Sequence, residues 1–393
     1  MSQFDSLRPV IISQFGPPAL ACIRSWGRAG CKPGLVQIKE GKKDIRPASR
    51  YLAGHMSISR QELDTAQGMQ RLSSFLQDFG AAGVTCISEG VACRLHQSRE
   101  ILPSGLDLWL PPEEAIQAVL SKTRQTEIAG KVGLDVLPSF YLQAMDDTTA
   151  IPREHFPVCL RPSAPGAAKP SFKARVLSSP EELERFIQGL TLAKPLIAQP
   201  FKNLPNLVLH GARSPTGKDF GLQAFFVPCK FQGVTLSMER CEISKDLALK
   251  CIRFVQDMGV TGSYHFEFLW DQEQDRTWFL ELNARLGGTT AKALACGYDE
   301  PALLLKAYNA LDDQLQLEDG AHRATVSSKM ALGKYFLQNL SSSLDILDYP
   351  QRSRASNMLF GLWAMLAYRD EVFSWRDLPG SLALWMSALK GDR

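Results

Sequence analysis

The sequence predicts an α/β fold joined to an α+β portion, and three patterns lead to this prediction. Short apolar runs alternate with amphipathic segments near the start, as in Pro9–Ile12, Ala19–Trp26 and Leu35–Ile38. From His155 the pattern changes to short strands and turns, and from Thr290 it becomes mostly helical. Alternating strands and helices indicate a parallel sheet, whereas short strands followed by helices indicate an α+β arrangement.

The chain is long enough for two or three packed units. It has 393 residues, and a single hydrophobic core stops growing at about 250–300 residues. The run Pro111–Glu114 combines proline with acidic residues, which is typical of a helix start and predicts a new unit. We therefore expect units over residues 1–110, 111–312 and 313–393, the last of them helical.

Composition and charge exclude several classes of function. Hydrophobic residues make up 45% and charged residues 22%, which is typical of a folded soluble protein. The net charge is +3 and the basic residues are scattered, so nucleic acid is not an expected partner. The apolar run Met358–Tyr368 is shorter than the roughly 20 residues that cross a bilayer, so it predicts a buried helix and no membrane association.

The cysteines and the N-terminus predict a cytoplasmic protein. Nine cysteines are spread between Cys22 and Cys296 without a CxxC pair, which indicates reduced and mostly buried thiols. The segment Met1–Val10 contains Asp5 and only a short apolar stretch, which does not resemble a secretory signal. His265 alternates with neighbours on a predicted strand, so we expect a core or surface role for it rather than zinc binding.

The chemistry is concentrated in two predicted strands, Tyr264–Trp270 and Trp278–Asn283, which a polar turn separates. Side chains two residues apart in a strand share a face, so Glu281 and Asn283 project together. If the strands pair antiparallel, Glu267 lies beside them. One surface then carries two carboxylates and an amide oxygen.

The same alternation directs Leu280 and Leu282 into the core. Oxygen donors suit Mg²⁺, which retains waters and completes its coordination with nucleotide phosphates. Arg285 shares the polar face, and a cation beside such a metal is what phosphoryl transfer requires. An amphipathic hairpin whose glutamates are merely solvated fits the same pattern.

The residues around this hairpin resemble a known superfamily. The segments Tyr264–Phe268 and Phe279–Gly288 resemble the metal-binding hairpin of the ATP-grasp superfamily. Weaker similarity covers most of the chain: Ile23–Gly27 and Ala48–Tyr51 resemble the Rossmann-like domain of carbamoyl-phosphate-synthetase-like and D-aspartate-ligase-like proteins. The resemblance implies a Rossmann-like pre-ATP-grasp domain, two ATP-grasp lobes over about 111–200 and 201–312, and a helical C-terminal tail.

The resemblance also implies which residues surround the nucleotide phosphates. Lys122 matches a lysine that contacts phosphate or adenine, and Lys230 matches a basic residue near the phosphates, although a solvated lysine at a strand end fits the latter equally. Arg161 lies where most relatives have lysine, which keeps the cation but changes its geometry. The loop Ser163–Ser171 has only Gly166 where relatives have several glycines, and this implies a stiffer lid.

The remaining implied positions belong to adenine, metal and catalysis. The segment Leu196–Phe201 resembles the linker between the lobes, in which Gln199 replaces a usual glutamate and Pro200 cannot donate an N–H group. Gln199 and Phe201 are therefore the expected adenine contacts. The implied metal ligands are Glu267, Glu281 and Asn283, and the implied catalytic cations are Arg285 and Arg161.

The implied activity is ADP-forming carbon–nitrogen ligation. ATP with Mg²⁺, or with Mn²⁺ as an alternative, would activate a small carboxylate as an acyl phosphate that an amine then captures. Carbamoyl-phosphate-like chemistry on a carboxylate such as bicarbonate is a second hypothesis, and a non-catalytic ATP-binding regulator is a third. The expected substrate loops are Pro17–Ala19, Ser88–Val91 and Gly287–Thr290, and the resemblance suggests a homodimer.

Overall fold

The computed structural model describes residues 7–39, 46–311, 325–341 and 345–391. Residues 1–6 of the N-terminal segment and the predicted boundary at residue 312 lie outside the described residues. The boundary near residue 110 stays a prediction.

A parallel sheet covered on both faces forms the first part of the chain. Its strand order is β3-β2-β1-β4-β5. Ile12 packs with helices α3 and α4, while the adjacent Ile11 packs with α1 on the opposite face. This arrangement confirms the predicted parallel sheet. The elements are β1 (Pro9–Ser13), α1 (Pro17–Arg28), β2 (Gly34–Lys39), β3 (Gly54–Ser59), α2 (Arg60–Leu63), α3 (Ala66–Phe79), β4 (Gly83–Cys86), α4 (Glu89–Gln97) and β5 (Asp107–Leu108).

The amphipathic segment before β4 is divided into two helices. Ser59 caps α2, and the Thr65 hydroxyl caps α3 by accepting a 3.0 Å hydrogen bond from the Gly68 N–H. A Cβ atom at Gly68 would lie 1.9 Å from the Glu62 carbonyl oxygen, so this tight junction requires glycine. Strand β3 was not predicted because it lacks an apolar run, yet it pairs with β2 along its whole length.

A smaller antiparallel sheet follows, with the order β6-β11-β7-β9. Before it, Ser121 ends α5 and caps α6, so Lys122 begins the second helix instead of extending the first. The elements are α5 (Glu113–Leu120), α6 (Lys122–Lys131), β6 (Phe140–Leu142), the 3-10 helices Met145–Ala150 and Arg153–His155, β7 (Val158–Pro162), β8 (Ala168–Lys169), β9 (Arg175–Leu177), α7 (Pro180–Gln188), β10 (Thr191–Leu192) and β11 (Leu196–Pro200).

A larger sheet has the order β16-β15-β12-β13-β14-β17-β18, and its strands β15 and β16 form the predicted hairpin that contains Glu267 and Glu281. Its core is aromatic: Phe254 of α8 packs at 5.4 Å from Phe266 and 5.1 Å from Phe279, measured between ring centroids. The elements are β12 (Asn206–Arg213), β13 (Asp219–Phe231), β14 (Val234–Cys241), α8 (Lys245–Asp257), β15 (Gly262–Asp271), β16 (Arg276–Asn283), α9 (Thr290–Ala295) and α10 (Glu300–Ala307).

The C-terminal part is mainly helical, as predicted, but two short strands join it to the large sheet. Helix α12 contains the apolar run Met358–Tyr368 apart from its last residue, Tyr368. The predicted burial of this run is wrong, because Leu359 is 69% exposed and Leu366 is 87% exposed. Gly361 and Ala364 lie on a side of α12 that packs on α11, and apolar composition alone cannot reveal that only one side has a partner. The elements are β17 (Val326–Ser327), α11 (Lys329–Ser341), α12 (Arg354–Ala367), β18 (Arg369–Asp370), the 3-10 helix Trp375–Asp377 and α13 (Leu378–Gly391).

A buried ion pair fastens this C-terminal part to helix α1. The Arg24 Nε atom lies 2.8 Å from Asp377 Oδ2, and Arg24 Nη2 donates to Ser381 Oγ at 2.9 Å. Asp377 also accepts hydrogen bonds from the Ser49 hydroxyl and the Arg50 backbone N–H, both at 2.9 Å. Burial lowers the pKa of Arg24, and Asp377 opposes this effect.

Among the described residues, none of the helices combines the length and the apolar character that crossing a bilayer requires.

We expect the substitution Asp377→Asn to destabilise the protein by about 3–5 kcal/mol, because it leaves the buried Arg24 guanidinium without its counter-charge. The measurement is the midpoint of urea unfolding. The control is Asp257→Asn, which removes a 2.8 Å ion pair to Lys131, a residue whose side chain is 68% exposed. That variant should lose at most about 1 kcal/mol. Equal shifts for the two variants would contradict the prediction.

Candidate functional site

The hairpin of β15 and β16 places the predicted polar residues on one surface. The strands pair antiparallel, with Glu267 opposite Glu281 and His265 opposite Asn283. Glu281 Oε1 accepts a 3.0 Å hydrogen bond from Asn283 Nδ2. The Glu267 side chain is 34% exposed and the Glu281 side chain 25% exposed, so both carboxylates are reachable from solvent.

A β-bulge changes the apolar side of this hairpin. The register shifts after Glu267, so Phe268 pairs with Phe279 and Leu280 is the extra residue. Leu282 is fully buried as predicted, but Leu280 is only partly buried and lies outside the hydrophobic cores. The predicted burial of Leu280 is therefore wrong, because strict alternation does not hold across a bulge.

Lys122 is the closest cation to the two carboxylates. Its Nζ atom forms an ion pair with Glu281 Oε2. Burial opposes ionisation of Glu281, but the charge and hydrogen bond of Lys122 outweigh it and lower the pKa of Glu281 to about 2. Burial and the neighbouring Glu281 charge raise the pKa of Glu267 to about 7. Lys122 and the nearby arginines thus balance the negative charge of Glu267 and Glu281 only in part.

Arg285 connects the hairpin to the parallel sheet. Its Nε atom lies 2.7 Å from Glu89 Oε1, and its Nη2 atom donates to Asn283 Oδ1 at 3.3 Å. Glu89 is the first residue of α4 and lies in the predicted substrate loop Ser88–Val91, but the sequence analysis did not single it out. Its signal was a carboxylate three residues after the buried parallel strand β4.

Arg161 and Gln199 lie on neighbouring strands of the small sheet. Arg161 Nη2 donates to Gln199 Oε1 at 2.5 Å, and Gln199 Nε2 donates to Ser139 Oγ at 2.9 Å. The charge of Arg161 opposes the rise in the pKa of Glu267 and contributes to the low pKa of Glu281, so it acts on the carboxylate pair. The Gln199 side chain is therefore engaged at both ends within the protein.

Phe201 and Lys230 lie at the passage between the two antiparallel sheets. The Phe201 N–H donates to the Pro157 carbonyl oxygen at 2.7 Å. Lys230 is 8% exposed, and its Nζ atom donates to the Leu204 carbonyl oxygen at 2.7 Å and to Asn206 Oδ1 at 3.1 Å. Burial lowers the pKa of Lys230 to about 8. The interpretation of Lys230 as a solvated lysine is wrong, because its side chain is buried and hydrogen bonds to the segment that joins the two sheets.

A cavity of about 400 Å³ separates the hairpin from the predicted lid loop. Lys122, Asn283 and Glu89 line one side of it. Residues of the loop Ser163–Ser171 line the other side, and Gly166 adopts a positive φ of 73° there. The loop thus faces the carboxylate and lysine cluster across an open space.

The histidines and thiols take structural positions. His265 is 3% exposed, and its ring stacks on that of His210 at 5.3 Å. In the part of the chain that the structure describes, no group of three or more His, Cys, Asp or Glu side chains is arranged to hold a metal. The cysteines are free and mostly buried, as predicted. The assignment of Glu267, Glu281 and Asn283 as metal ligands stays a prediction.

Gln125 is a residue that the sequence analysis missed. It is 1% exposed, lies one helical turn after Lys122, and hydrogen bonds to the backbone of Leu282. Its spacing of three residues from Lys122 was the available signal, since such residues share a helix face.

No protein-family model and no curated protein sequence matches the chain. Solved structures do match its fold. The biotin carboxylase domain of 2-oxoglutarate carboxylase from Hydrogenobacter thermophilus, in complex with MgADP and bicarbonate, is 17% identical with a TM-score of 0.62, covering 81% of this chain and 73% of that chain.

Two further structures are similar to the same extent. L-amino acid ligase from Bacillus licheniformis is 14% identical with a TM-score of 0.59, covering 81% of this chain and 78% of that chain. N5-carboxyaminoimidazole synthetase from Staphylococcus aureus is 14% identical with a TM-score of 0.62, covering 86% and 88%. These neighbours are ATP-grasp enzymes, so the chain has the ATP-grasp fold, as predicted. Identities this low establish the fold alone.

We expect Glu267→Gln to raise the thermal midpoint of the metal-free protein at pH 8 and to have little effect near pH 5. The pKa of Glu267 is about 7 in the folded protein, above its ordinary value of 4.5, so ionisation between these values costs stability as the pH rises. The measurement is thermal unfolding in chelator across this pH range. Glu273→Gln, in the exposed turn of the same hairpin, is the control and should show no such trend. A Glu267→Gln midpoint that stays at the wild-type value at pH 8 would contradict the prediction.

Proposed function

We propose that the protein is an ATP-dependent carboxylate–amine ligase that forms an amide or peptide bond through an acyl phosphate. The observation that carries the proposal is the facing pair Glu267 and Glu281 with Lys122 on one carboxylate and Arg161 and Arg285 nearby. The ATP-grasp fold supports the same activity, because the neighbours include an enzyme named as an amino acid ligase.

The hairpin has the donor chemistry that Mg²⁺ prefers. Glu267, Glu281 and Asn283 offer carboxylate and amide oxygens on one surface, and Mn²⁺ accepts the same donors. Burial and then the charge of Glu281 raise the pKa of Glu267, and a divalent cation would oppose both effects by stabilising the ionised carboxylate. When bound, the metal would neutralise charge on the β- and γ-phosphates of ATP.

The cations of the chain would stabilise the transferred phosphoryl group. In this proposal Lys122, Arg161 and Arg285 surround the phosphates, and the loop Ser163–Ser171 closes the cavity over them. Excluding water protects an acyl phosphate from hydrolysis, and holding the amine beside it makes the second step effectively unimolecular. No nucleophile from the protein is needed, since positioning and charge neutralisation perform the catalysis.

The nucleotide and the substrates would occupy different parts of this arrangement. We assign residues 1–110 to a pre-ATP-grasp domain, 111–312 to the ATP-grasp lobes and 313–393 to the C-terminal region. Gln199 and Phe201 would lie along the adenine side, and Lys230 would lie near the phosphates. The carboxylate and amine would bind near Pro17–Ala19, Ser88–Val91 and Gly287–Thr290. The first two segments were predicted as loops, but they are the starts of helices α1 and α4. A cytoplasmic homodimer stays a prediction.

A bicarbonate-like carboxylate is the second candidate substrate. The structure from Hydrogenobacter thermophilus binds bicarbonate together with MgADP, and it shares the fold of this chain. Phosphorylation of bicarbonate would use the same carboxylates and cations, so the two hypotheses differ only in the acceptor. An experiment on this protein therefore has to include bicarbonate among the carboxylates.

We expect Mg²⁺-dependent ADP release that increases with one carboxylate and one amine of a panel of amino acids, small carboxylates and bicarbonate. Glu281→Gln should lower that rate by about 10²-fold or more, because a charge that holds metal and phosphate is lost. The control is Glu273→Gln, which removes an exposed carboxylate from the turn of the same hairpin and should retain wild-type rates.

The outcomes separate the hypotheses. ADP release with an amine-dependent amide product supports the ligase, and release with bicarbonate alone supports the second candidate. Tight binding of Mg-ATP without turnover on any pair would favour a regulatory ATP-binding protein. Full activity of Glu281→Gln would remove the hairpin from the mechanism.

A further inference from the structure

The side chain of Gln125 takes the place of a neighbouring strand at one edge of the large sheet. Strand β16 is terminal in the sheet order, and Leu282 lies within it. The Leu282 N–H donates to Gln125 Oε1 at 2.7 Å, and Gln125 Nε2 donates to the Leu282 carbonyl oxygen at 3.1 Å. One side-chain amide therefore satisfies both backbone groups of this residue, as a paired strand would.

Leu282 lies between the two candidate metal ligands of β16. Glu281 precedes it and Asn283 follows it, and both side chains project from the face opposite to the buried Leu282 side chain. Holding the backbone of Leu282 in place therefore also holds the Cα atoms of Glu281 and Asn283 in place. A displaced Leu282 would move the carboxylate and the amide together.

The same amide also fastens the segment that carries Lys122. Gln125 Nε2 donates to the Val119 carbonyl oxygen at 2.5 Å, near the end of α5, while Gln125 itself lies in the first turn of α6. Lys122 begins α6 and forms its ion pair with Glu281. Three segments that contribute to the site, α5, α6 and β16, thus converge on one buried side chain.

We infer that Gln125 is a positioning residue that holds Lys122, Glu281 and Asn283 in the arrangement required for metal-dependent nucleotide binding. The inference rests on the proposed function, since it assigns the hairpin to metal and phosphate. Without the amide, the backbone groups of Leu282 and the carbonyl of Val119 lose their buried partner, and relieving this requires the strand and the helices to shift.

Two substitutions at Gln125 separate positioning from general stability. Gln125→Met keeps the length of the side chain and removes its hydrogen bonds. Gln125→Glu keeps the acceptor for the Leu282 N–H, but as a carboxylate it faces two carbonyl oxygens and cannot donate to them. A buried carboxyl in such surroundings retains its proton well above the usual range, and the protonated form donates again. The Gln125→Glu variant should therefore recover as the pH falls.

The experiment compares ADP binding by calorimetry with and without Mg²⁺, at pH 6 and pH 8. We expect Gln125→Met to weaken Mg-ADP binding roughly tenfold or more, since lost buried hydrogen bonds have consequences of this size. Binding of ADP in chelator should weaken clearly less, because it loses only the contact of Lys122 with phosphate and not the metal ligands. Gln125→Glu should bind Mg-ADP weakly at pH 8 and approach the wild type at pH 6, with the wild type measured at both pH values. Gln77→Met, an exposed glutamine on α3, is the control and should bind like the wild type.

Each result decides for or against the inference. Wild-type Mg-ADP affinity in Gln125→Met would overturn the inference and leave the proposed function intact, whereas a wild type that fails to bind Mg-ADP would overturn both. Equal loss with and without Mg²⁺ would assign Gln125 a purely structural role and also overturn it. If Gln125→Met does not fold, the Gln125→Glu variant provides the test. Its Mg-ADP affinity is divided by that of the wild type at pH 6 and at pH 8, and a ratio that does not change with pH contradicts the inference.

Discussion

Glu267 and Glu281 face each other across β15 and β16, and two carboxylates held this close repel each other unless positive charge or a proton intervenes. Much of the surrounding structure supplies that positive charge. Lys122 reaches Glu281 from the start of α6, and the charge of Arg161 acts from the small sheet. Arg285 follows the hairpin directly and contacts Asn283. The cations come from three different segments, so the charge balance depends on how these segments are packed.

Two of these cations, Arg285 and Arg161, are themselves held by other side chains. Arg285 is held by Glu89, a residue of the parallel sheet region, and Arg161 is held by Gln199 on the adjacent strand. Each cation is therefore partly neutralised or engaged before any phosphate arrives. In the proposed function, an anionic nucleotide would have to compete with these contacts for the two arginines.

The sequence predicted the main elements of the site because they depend on local patterns. Two strands with a polar turn between them predicted the hairpin, and alternation placed Glu281 and Asn283 on one face. Alternation failed at Leu280, because the bulge depends on the register with β15 and not on the residue itself. Lys122 came from the family resemblance. Gln125 had no comparable signal, since its partner Leu282 is distant in the chain.

Burial was harder to predict than secondary structure. The part of helix α12 from Met358 to Ala367 is apolar throughout, and only the packing on α11 decides which of its side chains are covered. Lys230 shows the opposite case: a charged residue near a strand end is buried, because the carbonyl oxygen of Leu204 and the side-chain oxygen of Asn206 accept hydrogen bonds from its ammonium group. In both cases the deciding partner lies elsewhere in the chain, and a single sequence does not identify that partner.

The buried thiols are distributed over separate hydrophobic cores, so their reactivity can report when each core opens. Cys22 belongs to the core around α1, Cys86 to the core on the other face of the parallel sheet, and Cys251 to the aromatic core of the large sheet. Burial raises the pKa of Cys86 to about 12, so a thiol-directed reagent at neutral pH reacts with it only after its surroundings open. Alkylation followed by mass spectrometry would therefore record the order in which the separate cores open, without any engineered label.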